Sequence, residues 1–327
     1  MIKLRLDADG LARSRFALSP VAETVQLLIA AATGEAPHRL RGPLRETVIA
    51  RRLDLLATLL RIEPGAGHYV PDFLTPPPPG FESSVEDELH AVAGTPGWRV
   101  AGELAVVAEG RIGRTVGREL PRRARAAIDA GEAQVAERLA HELGQVWTHV
   151  LAPKWPRVRA RLEADLTQRL RTLAGHGFGT VINQLDPAVD WHDGALRYHA
   201  RFETTVPERS VVFLPSVFRS RVAIVVDTVG GFAKSACATG MARRDPMLLY
   251  PVGKSPGSPP EPPSPAELIG QTRARILAAT SHPATTGEVA GRLSLSPSTV
   301  SYHLQILHRA GLVRRTRDAR TVLYQST

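Results

Sequence analysis

Cysteine is almost absent from this sequence: Cys237 is the one thiol among 327 residues. A single thiol closes no disulfide within the chain and builds no cysteine-rich zinc or iron–sulfur site, so a reducing compartment is the simplest home. Flanked by Ala236 and Ala238, Cys237 reads as a small apolar filler rather than a redox thiol. Long apolar runs are missing too. No stretch approaches the ~18 residues of a membrane span, and Met1-Ile2-Lys3-Leu4-Arg5-Leu6-Asp7 lacks the apolar core of a secretion signal. The expectation is a cytoplasmic chain with no membrane partner. Catalytic signatures are equally scarce. There is no nucleophile elbow, no P-loop and no His-Glu-x-x-His, and Thr228-Val229-Gly230-Gly231-Phe232 is too short for a phosphate loop. His192, Asp193 and His199 near a strand start are a weak metal set. The chain therefore reads as no enzyme, with no cofactor and no metal.

Lysine is the last scarcity: Lys3, Lys154, Lys234 and Lys254 are the only four among 41 basic residues. The rest are arginines, whose planar forks suit phosphate and guanine edges, although a biased genome also enriches arginine. Position tells more than number. The whole chain carries a net +9, and residues 266–327 hold Arg273, Arg275, Arg292, Arg309, Arg314, Arg315, Arg317 and Arg320 against Glu267, Glu288 and Asp318. More than half of the excess thus falls in this last stretch.

The length suits two domains. Their boundary is written in 255–265, Ser-Pro-Gly-Ser-Pro-Pro-Glu-Pro-Pro-Ser-Pro, whose six prolines forbid helix and central strand and favour an extended spacer. The domains are then 1–254, a linker at 255–265, and 266–327. In the first, apolar residues recur at helical spacing: Val21, Val25, Leu28, Ala32; Leu44, Val48, Leu55, Leu59; Ile128, Val135, Leu139, Leu143, Val146, Val150; and Val158, Leu162, Leu166, Leu170, Leu173. After Gly175 the period becomes two, with Leu196, Tyr198, Ala200 and Phe202 alternating against Arg197, His199 and Arg201. Short β-rich runs follow at 211–214, 222–226 and 247–252. The fold class expected is α+β: a mostly helical first domain with a small antiparallel sheet, and a compact second one.

Beyond the linker the pattern sharpens. Leu268, Ile269, Ile276 and Leu277 give one helix its buried face, with Pro283 just beyond its end. Thr285-Thr286-Gly287-Glu288 is a capping box that starts a second helix carrying Val289, Ala290 and Leu293 inward. Ser294-Leu295 turn tightly, and Ser296-Pro297 restart the chain with serine as N-cap and proline at the first helical position. In this third helix, 297–309, Val300, His303, Leu304 and Leu307 pack inward, which leaves Ser298, Ser301, Tyr302, Gln305 and Arg309 outward. Gly311 stops the helix, and 312–325 folds as a hairpin around Arg317-Asp318-Ala319-Arg320. A polar helix face beside an arginine-tipped hairpin is what insertion into a DNA major groove with flanking phosphate contact requires.

The stretch from Thr285 to Tyr324, with its Leu-Ser-Pro-Ser-Thr-Val-Ser-Tyr-His-Leu core, Ala-Gly-Leu-Val break and Arg-Asp-Ala-Arg wing, resembles ArsR-type winged-helix regulators. The resemblance implies a recognition helix whose contact positions are Ser298, Thr299, Ser301, Tyr302 and Gln305, and a wing that touches DNA through Arg317 and Arg320. Ser296, Arg309 and Arg315 complete the candidate DNA-binding set. Tyr302 departs from the family, in which that position is often basic. The thiolates of the family's metal sensors are replaced here by Thr285, Gly287 and Ala290, which suit no soft metal. The first 250 residues resemble, more loosely, the N-terminal regions of uncharacterised actinobacterial regulators ending in the same wing.

The function expected is a sequence-specific, DNA-binding transcriptional regulator, a repressor, with double-stranded DNA as partner. The first domain supplies oligomerisation or sensing of a small-molecule effector. Alternatives are a protein-interaction adaptor built on the same winged helix, and an enzyme fused to a DNA-binding module. A homodimer is expected, because two-fold operators suit two-fold proteins. The chain stops three residues past Tyr324, so its interface is expected on the 128–150 or 158–173 stripe, unless these are simply core.

Overall fold

The computed structural model describes residues 1–60, 69–109, 122–129, 131–199, 204–208, 210–226, 244–253, 269–318 and 321–326. The proline-rich linker, Cys237, residues 228–232, Leu268 and Arg320 lie outside them, as do Ala200, Arg201 and Phe202. The chain divides into two compact units, Met1–Ser255 and Pro256–Thr327. Among the described residues no helix is long and apolar enough to cross a membrane, and no group of three or more His, Cys, Asp or Glu side chains is placed to hold a metal ion.

The first unit begins β1 (Ile2–Leu6), α1 (Ala8–Arg13), β2 (Arg15–Phe16) and α2 (Pro20–Thr33). There follow α3 (His38–Ala50), α4 (Asp54–Leu59), α5 (Val85–Ala93), α6 (Gly97–Glu109), α7 (Arg122–Asp129), α8 (Glu132–Val146) and α9 (Trp155–Asn183). The strands β3 (Val189–His192), β4 (Ala195–Tyr198), β5 (Thr204–Glu208), β6 (Val212–Ser216), β7 (Ala223–Val225) and β8 (Met247–Pro251) complete it. Local chemistry sets the helix ends. α2 starts where the Ser19 hydroxyl accepts from Ala22 N at 2.9 Å with Pro20 at the first position, and it ends at Gly34 in the left-handed region. The stripe Leu44–Leu59, one periodic run in the sequence, is two helices. Arg52 turns left-handed (φ 53°) and Leu53 N donates back to Val48 O at 3.0 Å, a Schellman closure that lets Leu55 and Leu59 rejoin the core after the bend.

The α+β class is as the patterning implies, and the sheet content exceeds a single small antiparallel sheet. One four-stranded sheet runs β3-β4-β1-β5, antiparallel except where β1 pairs with β5; the other runs β2-β6-β8-β7, in which β2, β6 and β8 are parallel. Two of the three parallel pairings, β1 with β5 and β2 with β6, draw a strand from the first sixteen residues. In β1 the alternation Ile-Lys-Leu-Arg-Leu buries Ile2, Leu4 and Leu6, a strand signal that sequence reading passed over. β6 and β8 are buried on both faces, Phe213, Leu248 and Tyr250 in one core and Val212, Leu214, Met247 and Leu249 in another. Their runs therefore read as continuously apolar.

The helical core gathers α2 to α6, α8 and the first half of α9. Val135, Leu139, Leu143, Val146 and Val150 are all enclosed there, and Ile128 packs against it half-buried. That corrects one of the two expected dimer surfaces: the 128–150 stripe is intramolecular core. On the neighbouring stripe Val158, Leu162 and Leu166 are buried as well, and Leu170 and Leu173 are exposed. Past them the helix bends at Gly177 (φ 78°), and Gly179 lies against Trp191 of β3, where an added Cβ would stand 3.0 Å from the indole.

Four glutamates buried in this unit reach across to main-chain N–H groups of other elements. Glu88 accepts from Val21 N at 2.8 Å, Glu23 from Val217 N at 3.1 Å, Glu103 from Phe73 N at 2.8 Å and Glu142 from Leu56 N at 2.7 Å. Arg99 lies 3.5 Å from Glu103, and Arg138 is 2.9 Å from Glu142. Glu88 is met by hydroxyls, Ser19 at 2.8 Å and Ser83.

Burial pushes the Glu23 and Glu88 carboxyls from an ordinary 4.5 up to about 7, against the opposing pull of their hydrogen-bond donors. Between those values the folded chain holds protons that the unfolded chain releases, so this contribution is full below 4.5 and is lost as pH rises through 7. Thermal unfolding of the full chain is expected to show lower stability at pH 8 than at pH 6, by about 1.4 kcal/mol per group. Glu23→Gln with Glu88→Gln should flatten that dependence. A pH profile unchanged by the double substitution would show that these carboxyls ionise as ordinary ones do.

Candidate nucleic-acid interface

The second unit contains α10 (Gln271–Ala279), α11 (Thr286–Leu293), α12 (Pro297–Arg309), β9 (Val313–Asp318) and β10 (Thr321–Ser326). Its core is Ile276, Ala284, Val289, Ala290, Val300, Leu304, Leu307, Val313 and Tyr324, with Ile269, Leu277 and Leu293 packed against it. The capping box of α11 is complete: Glu288 accepts from Thr285 N at 2.8 Å, and Glu288 N donates to the Thr285 hydroxyl at 3.2 Å. The N–H of Thr285, and then its hydroxyl at 3.1 Å, donate to the exposed Glu288 carboxyl and hold it below its ordinary range. At the other end Ser294 takes the left-handed conformation (φ 53°) and Leu295 N donates to Ala290 O at 3.1 Å, which closes the turn into α12.

α12 begins at Ser296, whose hydroxyl accepts from Thr299 N at 3.2 Å and lies 2.9 Å from that of Ser298 and 2.7 Å from that of Thr299. Ser296 is thus engaged as an N-cap. Val300, Leu304 and Leu307 are buried, and Ser298, Tyr302, Gln305 and Arg309 are exposed. At 100° per residue, positions i, i+4, i+7 and i+11 fall within about 60° of one another, so these four side chains form a single ridge opposite the buried face. Thr299 and Ser301 flank it, half-buried. His303, expected to pack inward, is half-buried; its Nδ1 is enclosed with no hydrogen-bond partner among the described residues, and its ring meets that of Tyr302 edge-on at 5.3 Å.

Gly311, in the left-handed region (φ 71°), turns the chain into the hairpin. Register pairs Arg315 with Tyr324 and Arg317 with Val322, placing both arginines on the face of the hairpin that carries Val313 and Tyr324, with Arg314 on the other. Arg309, Arg314, Arg315 and Arg317 are all exposed, whereas Arg273, Arg275 and Arg292 donate to the main-chain carbonyls of Ile269, Leu293 and Ala279. The clustered charge therefore splits into arginines that bond the scaffold and arginines that face outward. Three ties carry no signal in the sequence. Ala284 pairs with Tyr324 through bonds of 3.0 and 2.9 Å, Ser326 N donates to Thr280 O at 2.8 Å, and the exposed His308 has Nδ1 2.9 Å from Val313 O. Each fixes the hairpin against the helices, and each joins residues whose types permit many other partners.

A capped helix, a tight turn and a second helix with one polar ridge define a helix-turn-helix unit. A family model described as a helix-turn-helix domain matches residues 271–316, a small fraction of the chain. No curated protein and no solved structure matches it.

Leu304, fully buried at the centre of this core, should be its most sensitive position. Leu304→Ala is expected to cost about 2–5 kcal/mol, against about 1 kcal/mol for Thr285→Ala at the cap. Amide hydrogen exchange over 285–309 would measure both; similar losses at the two sites would contradict this ordering.

Proposed function

We propose that this chain is a sequence-specific, DNA-binding transcriptional regulator of the ArsR type, a repressor, that inserts α12 into the major groove and uses the 312–325 hairpin as its wing. The observation that carries the reading is the ridge Ser298, Tyr302, Gln305, Arg309, an outward row of hydroxyl, aromatic, amide and guanidinium groups on a helix whose opposite face is core. The exposed Arg314, Arg315 and Arg317 supply positive charge beside it. In this reading double-stranded DNA is the partner, the protein works in the cytoplasm as a homodimer, and the first unit serves dimerisation or effector sensing and catalyses nothing. The matched helix-turn-helix domain supports the DNA-binding part of the reading.

Gln305→Ala is expected to relax base preference at one or two positions, at a cost of about 1–3 kcal/mol for each base that Gln305 reads. Competition between an enriched duplex and random DNA tests it: equal weakening on both would mean that Gln305 reads no base. Arg315→Ala with Arg317→Ala should weaken binding to all sequences alike and reduce the slope of log affinity against log salt by about one for each phosphate these arginines neutralise. An unchanged slope would remove these residues from the interface.

A further inference from the structure

On the exposed ridge of α12 three members carry hydrogen-bonding or charged heads, and Tyr302 presents a large apolar ring. It is 59% exposed, and its hydroxyl has no hydrogen-bond partner among the described residues. Its ring stands edge-on to that of His303, with centroids 5.3 Å apart. Tyr302 stands between Ser298 and Gln305, one turn from each, so whatever meets the middle of the ridge meets this ring. An exposed aromatic gains free energy on binding chiefly by burying its carbons.

Base edges in the major groove present donors and acceptors almost throughout. Guanine shows N7 and O6, cytosine an amino group, adenine N7 and an amino group; thymine alone adds a projecting carbon, the C5 methyl. Resting on the reading of α12 as the DNA-inserted helix, we infer that Tyr302 selects a thymine in the bound duplex by packing its ring on that methyl. The flanking hydroxyl and amide groups of Ser298 and Gln305 then read the neighbouring bases. The competing use of the same side chain is a hydroxyl bond to a backbone phosphate, which carries no sequence choice. The two differ in which atom matters, the ring carbons or the phenolic oxygen.

The test begins by enriching duplexes from a random-sequence pool with the purified full chain, then replaces each thymine of the enriched duplex singly with deoxyuridine, which deletes only the methyl. One thymine in each bound site is expected to lose about fourfold in affinity on replacement, the worth of one buried methyl-sized group. Tyr302→Phe should keep that sensitivity, and Tyr302→Ala should bind more weakly and abolish it while leaving thermal unfolding unchanged. An enriched duplex in which no thymine responds, or one to which Tyr302→Ala remains as sensitive as the parent, overturns the inference and leaves the DNA reading standing. So does a Tyr302→Phe chain as weak as Tyr302→Ala, since that assigns the hydroxyl to a phosphate. A pool from which nothing is enriched overturns the sequence-reading function itself, and this inference with it.

Discussion

The first unit depends on carboxylates placed where helices begin. The opening turn of a helix leaves its first N–H groups without intrahelical acceptors, and a buried one needs a partner from elsewhere. Val21 and Leu56 lie in the first turns of α2 and α4, and Phe73 lies in the short 3-10 turn Asp72–Leu74; each donates to a glutamate from another helix. A negative group at a helix N-terminus is also favoured by the peptide dipoles. Each bond thus satisfies a buried donor and fixes the position of one helix against another, which apolar contact alone does loosely. Glu23 does the same for the end of β6 and joins the helical core to the sheet.

Those bonds carry a cost that shows in the protonation of the groups. Glu103 has Arg99 and Arg244 as nearby cations, and among the described residues the donors to Glu88 are hydroxyl and amide groups, yet desolvation raises the carboxyl in both. Removing one of these glutamates leaves an enclosed N–H with no acceptor, a more serious loss than the hydrogen bond itself. The unit is tied together by polar contacts between residues far apart in the chain.

The second unit is built differently. Its turns are closed by neighbours: Thr285 with Glu288, Ser296 with Thr299, Leu295 with Ala290. Its core is the set of residues that helical spacing and strand alternation select. A small domain that settles most of its backbone locally can give a whole helix face to another molecule, and α12 does so: the residues that build it lie on one side and the ridge on the other.

What the sequence by itself determined follows from that contrast. The caps at Thr285, Ser296 and Gly311 and the inward set Val300, Leu304 and Leu307 were legible because each depends on residues within a turn or two of one another. The candidate ridge was legible in outline, and burial then separated Ser298, Tyr302, Gln305 and Arg309 from the half-buried Thr299 and Ser301 and from Ser296, spent on its own helix. Only the tertiary structure decided that β1 pairs with both β4 and β5, that the 128–150 stripe is core, that Arg275 and Arg292 serve the scaffold, and which glutamates are buried. Each of those is a contact between distant residues whose types permit several partners. Hydrophobic periodicity says that a face must be covered, and only the packed chain says by what.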